Sequence, residues 1–313
     1  MLTALPAMVW AGTGIGIGGW TDGNKYAQTE GDYTADSLRF VSSAPDENAV
    51  AIMGGTFHMT ACGADKTGTT AMSSATTAAH QGINSACYCG GNAALHIQGG
   101  SITATGTATC GVAAYMGGFV ALEETHIRTQ GAYACGLVAS YGAVIEATNT
   151  TITTIGPSTP TLLMGKGRNI ILLTDCQVEA ESGVLLRAER SSTSTTKVAD
   201  AHLLLKSAST CTYTGKVEAD SYSHVCVTVG KGVTWRLTGD CTVDTLLLDG
   251  DIDYNGYTLT ANHTTTSGIR KPRTEDIERK GDWWFPQGTR AKGGMMPGTG
   301  LVVGKGKKIL RGK

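Results

Sequence analysis

Along much of the chain, apolar and polar positions alternate in short runs broken by glycine and other small residues. In "GGFVALEETHIRTQG", Val120 and Leu122 fall on one side of an extended chain and Ala121 and Glu123 on the other. Alternation of this kind predicts short strands with one buried face.

The runs recur at a fixed spacing. "CGVAAYMGGFVALEETHIRTQG" starts at Cys110 and "CGLVASYGAVIEATNTTITTIG" at Cys135, an offset of 25 residues. The offset aligns Cys110 with Cys135, Gly111 with Gly136, Val112 with Leu137, Ala114 with Ala139, Val120 with Ile145, Leu122 with Ala147, Thr125 with Thr150, Ile127 with Ile152 and Gly131 with Gly156. One period earlier, Leu95, Ile97, Gly100, Ile102 and Gly106 fill the same slots. A fixed period of two or three short strands predicts an all-β chain wound as a single right-handed parallel β-helix. Each coil then pairs with the coils above and below at about 4.8 Å. In the coil from Cys135, the expected inward residues are Cys135, Leu137, Ala139, Ile145, Ala147, Thr150 and Ile152.

The pattern continues through "ENAVAIMGGTFHMTACG" (47–63), through "RNIILLTDCQVEAESGVLL" (168–186) at a slightly longer period, and through residues 223–261. In the last of these, Val227, Val229, Val233, Trp235, Leu237, Val243, Leu246, Leu248, Ile252, Tyr257 and Leu259 are expected to point inward. Two Ser/Thr-rich inserts, residues 63–82 and 189–201, are expected as loops on one side. The expected organisation is an apolar, glycine-rich N-terminal segment with the first cap or strands (1–34), a right-handed β-helix (35–266) and an extended basic tail (267–313).

The stretches "DENAVAIMGGTFHMT", "GGFVALEETHIRTQG", "GAVIEATNTTITTIG" and "WRLTGDCTVDTLLLDGDIDYNGYTLT" resemble coils of bacterial adhesin-like right-handed β-helix proteins, a group that includes autotransporter passengers and pectin-lyase-like solenoids. The resemblance covers about residues 35–262. It implies the fold and an extracellular or cell-surface setting, and says little of activity. The chain departs from that group in its richness in cysteine and in having no C-terminal membrane barrel.

Composition agrees with a strand-rich chain: 43 of 313 residues are glycine and only 16% are charged, while 41% are hydrophobic, enough for a continuous core. Charge is divided unevenly. Residues 1–269 hold 13 Lys and Arg against 22 Asp and Glu, a charge of −9; residues 270–313 hold 12 against 4, a charge of +8. An acidic body with a basic tail favours docking of the tail on another copy or on an anionic polymer. No stretch suits a membrane-spanning helix, and the uncharged first twenty residues lack the basic start of a signal peptide. Either a signal has already been removed or this segment works in the mature protein.

The nine cysteines, Cys62, Cys87, Cys89, Cys110, Cys135, Cys176, Cys211, Cys226 and Cys241, show no CxxC spacing, so no zinc site is expected. Cys110 and Cys135, read as inward neighbours, come within Cα range of a disulfide. In-register parallel neighbours are nevertheless poorly oriented for one, and small buried hydrophobes are expected instead.

The enzymes of this fold attack polysaccharides with paired acids, or with calcium-binding acids and a base. The chain has no Asn-Thr-Asp, Asp-Asp, Gly-His-Gly or Arg-Ile-Lys. Asp249, Asp251 and Asp253 alternate in "LLLDGDIDY" and are expected as solvated turn and strand residues near a coil corner, with an acidic stripe or weak cation binding as the alternative. Glu123, Glu124, His126 and Arg128 form a second cluster; Glu123, His126 and Arg128 are expected on an outward face whose equivalent slots one coil up are Thr148, Thr151 and Thr153, and one coil down Gln98, Ser101 and Thr103. "GTGIGIGG" lacks the lysine and helix of a phosphate cradle. No catalytic residue, cofactor or metal is expected, and the acidic body argues against nucleic acid.

The ends of a solenoid must be capped or paired. Here the N-terminal apolar residues Leu2, Leu5, Val9, Trp10, Ile15, Ile17 and Trp20, and the tail residues Trp283, Trp284, Phe285, Met295, Met296, Leu301, Val302, Val303, Lys307 and Lys308, are the candidate assembly contacts. The function expected is that of a non-enzymatic extracellular structural protein joined head-to-tail to copies of itself in a filament or matrix. The alternatives are a monomeric surface adhesin binding a glycan or cell-wall polymer, and, behind it, a polysaccharide lyase or hydrolase.

Overall fold

The structure, a computed structural model, describes residues 23–190 and 198–266, and as backbone strands 283–284, 300–304 and 307–311. Its body is a parallel β-helix. One full coil runs through Val112–Tyr115, Phe119–Glu123 and His126–Gln130, one strand on each of three faces. The first face stacks eight strands, from Tyr26–Gln28 to Lys216–Ala219; the second stacks ten, from Asp32–Asp36 to Leu259–Thr266. The third stacks six, from Arg39–Ser42 to Gln177–Ala180, and resumes as a separate three-stranded sheet from Cys211–Thr214 to Asp251–Asp253.

The register is the one the repeat predicts. Val112 lies opposite Leu137, Val120 opposite Ile145, and Ile127 between Ile102 and Ile152. The slightly longer next period appears as Ile145 opposite Ile171. Stacking of like on like fills the interior with columns of aliphatic side chains, all nearly or fully buried. The aromatic rings of Tyr26, Phe40 and Phe57, with centroids 4.5 to 6.1 Å apart, fill it near the N-terminal end; Tyr213 and Trp235 fill it near the other.

The corner between the second and third faces recurs in a way that residue type alone does not dictate. Ser37, Ala61, Gly99, Glu124, Asn149 and Asp175 all adopt a left-handed backbone there, with φ between 49° and 67°. The next residue turns inward. Cys62, Thr125, Thr150 and Cys176 share that slot and donate to the carbonyl two residues back (Thr60, Glu123, Thr148 and Thr174). Two of the nine cysteines thus stand in for threonine at a corner.

Several expectations need correction. The 63–82 insert is not wholly loop: Gly63–Thr67 is a third-face strand, and Ala75–Gln81 forms a helix, α1. Ser74 caps α1, its Oγ accepting from the Thr77 amide at 3.2 Å, and Gly82 ends it with φ 64°. The first face is buried on both sides because α1 and its flanks cover its outer surface. Ala51, Tyr88, Ala113, Val138 and Leu163 pack there with Ala78 and Ala79, in a cluster separate from the interior. Cys110 and Cys135 belong to this outer cluster and not to the interior. Strand alternation does not carry back past the corner glycines Gly111 and Gly136, so counting from Val112 assigned them to the wrong side. Tyr257 is 38% exposed and not inward, because it follows a turn with left-handed Asn255 and Gly256. Leu248 and Ile252 are half-buried against the core. The first strand of the parallel ladder is Tyr26–Gln28. In the tail, Trp283–Trp284, Gly300–Gly304 and Lys307–Arg311 make a three-stranded antiparallel sheet.

Lys66 is the residue the alternation would least suggest for an inward slot. It is fully buried, and its ammonium donates to the carbonyls of Ala44 and Thr67 at 2.7 and 2.6 Å. Burial lowers its pKa to about 8, against the pull of Glu47 and Asp46. A lysine whose folded pKa lies below the unfolded value of about 10.4 leaves more protons on the unfolded chain between the two. Stability should therefore rise as pH goes from about 8 to about 10. Urea midpoints of wild type should climb over this window relative to Lys66→Met, and parallel curves would contradict the assignment.

Candidate functional site

The described residues shape concavities along the sides of the β-helix, and of three of these the most voluminous, about 830 Å³, opens where the third face is interrupted. Its cause is a contraction of the corner leading back to the first face. Six residues separate His126–Gln130 from Leu137–Ser140, whereas three separate Gln177–Ala180 from Val184–Ala188, and Gly215 alone separates Cys211–Thr214 from Lys216–Ala219. The shorter corners displace the next third-face strand, and no described strand pairs with the free edge of Gln177–Ala180. Val178 and Ala180, in slots that are sealed in the preceding coils, stay half-exposed in the cleft. Thr153, Thr210, Thr212, Thr214 and Thr238 bring hydroxyls to its walls, and Glu179 and Glu181 bring carboxylates. Behind the lining residues Cys211, Thr212 and Thr214, the hydroxyl of buried Tyr213 accepts from the Cys176 amide at 3.2 Å and donates to the Lys206 carbonyl at 3.1 Å.

A second hollow, about 410 Å³, lies on the second face around His58 and His96, whose rings stack 4.6 Å apart at 13°. Ala121, the next residue in that column, leaves the space, and Glu123 and Glu146 rim it. Burial, and then the neighbouring His58, lower the His96 pKa.

The third, about 650 Å³, sits at the edge of the covered first face, with Tyr133, Arg187 and Glu189 in its wall. An ionic row continues from it. Arg187 donates to Glu218 through Nε (3.0 Å) and Nη2 (2.8 Å), Lys216 bonds the same carboxylate at 2.7 Å, and Arg190 bonds Asp220 at 3.0 Å. Burial pulls the Asp220 pKa upward, but the amides of Arg190 and Tyr222 and the side chains of Ser223 and Arg190 outweigh it and hold the carboxyl at about 2.

Beside this hollow, fully buried His80 of α1 meets Glu189 through Nε2 at 3.3 Å. Its Nδ1 and the Oγ of buried Ser140 have no partner among the described residues, and both abut the Cα of Gly165. The residue types match a nucleophilic triad, yet Ser140 makes no bond to His80 and both are sealed from solvent. The arrangement holds α1 down. A Cβ on Gly165 would stand 2.4 Å from Ser140 Oγ and 2.5 Å from His80 Nδ1. Gly165→Ala should therefore lift His80 and loosen α1, with exchange of the α1 amides faster by about tenfold or more. Unchanged protection would contradict the role of His80.

The residues singled out for chemistry stay apart. Glu123, Glu124, His126 and Arg128 are exposed. Asp251 and Asp253 lie on one strand, Asp249 in the turn before it, and Asp253 meets Arg236 at 3.7 Å. Among the described residues, no group of three His, Cys, Asp or Glu is placed to hold a metal ion, and no helix is long and apolar enough to cross a membrane. Of the candidate assembly contacts, Leu2, Leu5, Val9, Trp10, Ile15, Ile17, Trp20, Phe285, Met295 and Met296 lie outside the described residues. Trp283, Trp284, Leu301, Val302, Val303, Lys307 and Lys308 lie on the three antiparallel tail strands. The cleft and the α1 cover were missed. The continuous apolar runs "CYCG", "VAAY" and "LVAS" were the available signal for the cover, since strands buried on both faces do not alternate.

No family model, curated protein or solved structure matches this chain.

Proposed function

We propose that the protein is a non-enzymatic extracellular structural rod that associates with copies of itself, its basic tail seated on the acidic body of a neighbour. The observation that carries the structural reading is the second face. Ten strands stack in parallel without interruption over a filled interior, an architecture that builds length and stiffness. The charges of −9 and +8 on body and tail supply the attraction, and the three tail strands supply the means of docking by strand addition or packing. Sedimentation of a body lacking residues 270–313, mixed with a peptide of those residues, tests the contact. Binding should be clear at low salt and fade as the Debye length falls to about 3 Å near 1 M. No binding at low salt would remove the tail from the account.

A second reading, a surface rod that holds a glycan, is favoured by the threonine-lined cleft at the third-face break. Its hydroxyls and two carboxylates suit an extended, uncharged polyhydroxyl chain. Screening the protein and a Thr212→Val/Thr214→Val variant against a glycan array separates the two: a pure scaffold binds nothing in either form.

A further inference from the structure

We propose that Cys110 and Cys135 form a disulfide that staples two successive coils beneath α1. The two residues occupy equivalent positions one coil apart: the Ala86 amide donates to the Cys110 carbonyl at 2.8 Å, and the Gly111 amide to the Cys135 carbonyl at 2.9 Å. Neighbouring coils are about 4.8 Å apart, inside the 4.4–6.8 Å range of disulfide Cα separations. The objection to in-register parallel neighbours applies within strands, where pleating points both side chains the same way. Cys110 and Cys135 lie outside the strands, in the corner turns just before Val112–Tyr115 and Leu137–Ser140. Cys110 Sγ already reaches across, 3.4 Å from the carbonyl of Tyr133, two residues before Cys135 on the next coil. Both thiols are completely buried in the outer cluster. Contact with Cys110 and then burial raise the Cys135 pKa well above the ordinary value, so Cys135 is not poised as a nucleophile in the closed protein.

The bond forms as the corner closes during folding. One thiol, deprotonated, attacks a sulfur of a small-molecule disulfide such as oxidised glutathione and releases one glutathione thiolate. The second protein thiolate then displaces the other. Two protein thiols are oxidised, one glutathione disulfide is reduced to two thiols, and the two protons pass to the released thiolates. The inference rests on the extracellular setting of the proposed function, where such oxidants persist. The experiment fixes the redox buffer, so its failure leaves self-association untouched.

Full-length protein is refolded in an oxidising glutathione buffer, alkylated under denaturing conditions and digested with trypsin without reductant. Cleavage after Lys66, Arg128 and Lys166 leaves Cys110 in 67–128 with Cys87 and Cys89, and Cys135 alone in 129–166. The expected product joins these two peptides, with fragmentation placing the bond at Cys110. It should persist in Cys87→Ser and Cys89→Ser and vanish in Cys110→Ser. The oxidised wild type should melt about 5 °C or more above the reduced form. Folded wild type with Cys110 and Cys135 both alkylated, or joined to other cysteines, overturns the proposal without reliance on any variant.

Discussion

Trp235→Ala should destabilise the protein by about 3–5 kcal/mol. Trp235 is wholly buried and sits in a column between Tyr213 and Ile252, where the first face has ended and fewer strands enclose the core. Its walls are hydrogen-bonded ladders, which cannot close over the space that the indole leaves. Its Nε1 also donates to the Gly215 carbonyl at 2.9 Å, at the single-residue corner, and truncation leaves that oxygen without its donor. Trp235→Phe keeps most of the ring and should cost roughly 1–2 kcal/mol. Because coils couple only to their neighbours, the loss should be local. Thermal unfolding will show the magnitude, and hydrogen exchange should show faster opening over residues 211–266 than over 87–155. Uniform loosening along the chain would contradict the coil-by-coil picture.

Gly100→Ala should cost a comparable amount, about 2–5 kcal/mol, from backbone strain together with a steric clash. Gly100 fills the corner slot that Cys62, Thr125 and Thr150 fill in other coils, but with φ 78°. A Cβ there would lie 1.9 Å from the Cys62 carbonyl oxygen of the coil below. That oxygen accepts from the Ser101 amide at 3.1 Å, so it cannot retreat without breaking the ladder. Denaturant unfolding of Gly100→Ala beside Gly142→Ala provides a check. Gly142 has a similar φ of 79° but nothing within 4 Å of its Cβ position, so it isolates the backbone term. Equal losses would mean that the clash contributes nothing.

These two sites show where the sequence was legible. The interior follows from like residues at a fixed spacing, and the pairings of Val120, Ile127 and their neighbours could be read before any coordinates. Corners were less readable, because tertiary stacking imposes a left-handed backbone on Ala61 and Glu124 as firmly as on Gly99 and Asn149. The outer surface was hardest. A seven-residue helix of middling propensity, "ATTAAHQ", exists because the apolar face of Tyr88, Ala113 and Val138 needs cover. The cleft depends on a corner shortened by a few residues, which alternation does not register. His80 and Glu189, 109 positions apart, meet only once their coils have stacked.

The central claim, a rigid β-helix that joins to its own copies through the tail, is tested most directly by negative-stain electron microscopy of the intact protein at low salt. The account predicts rods associated into chains or mats, which separate into single rods when residues 270–313 are removed. Single rods from the intact protein over a wide concentration range, or unchanged assemblies without the tail, would contradict it.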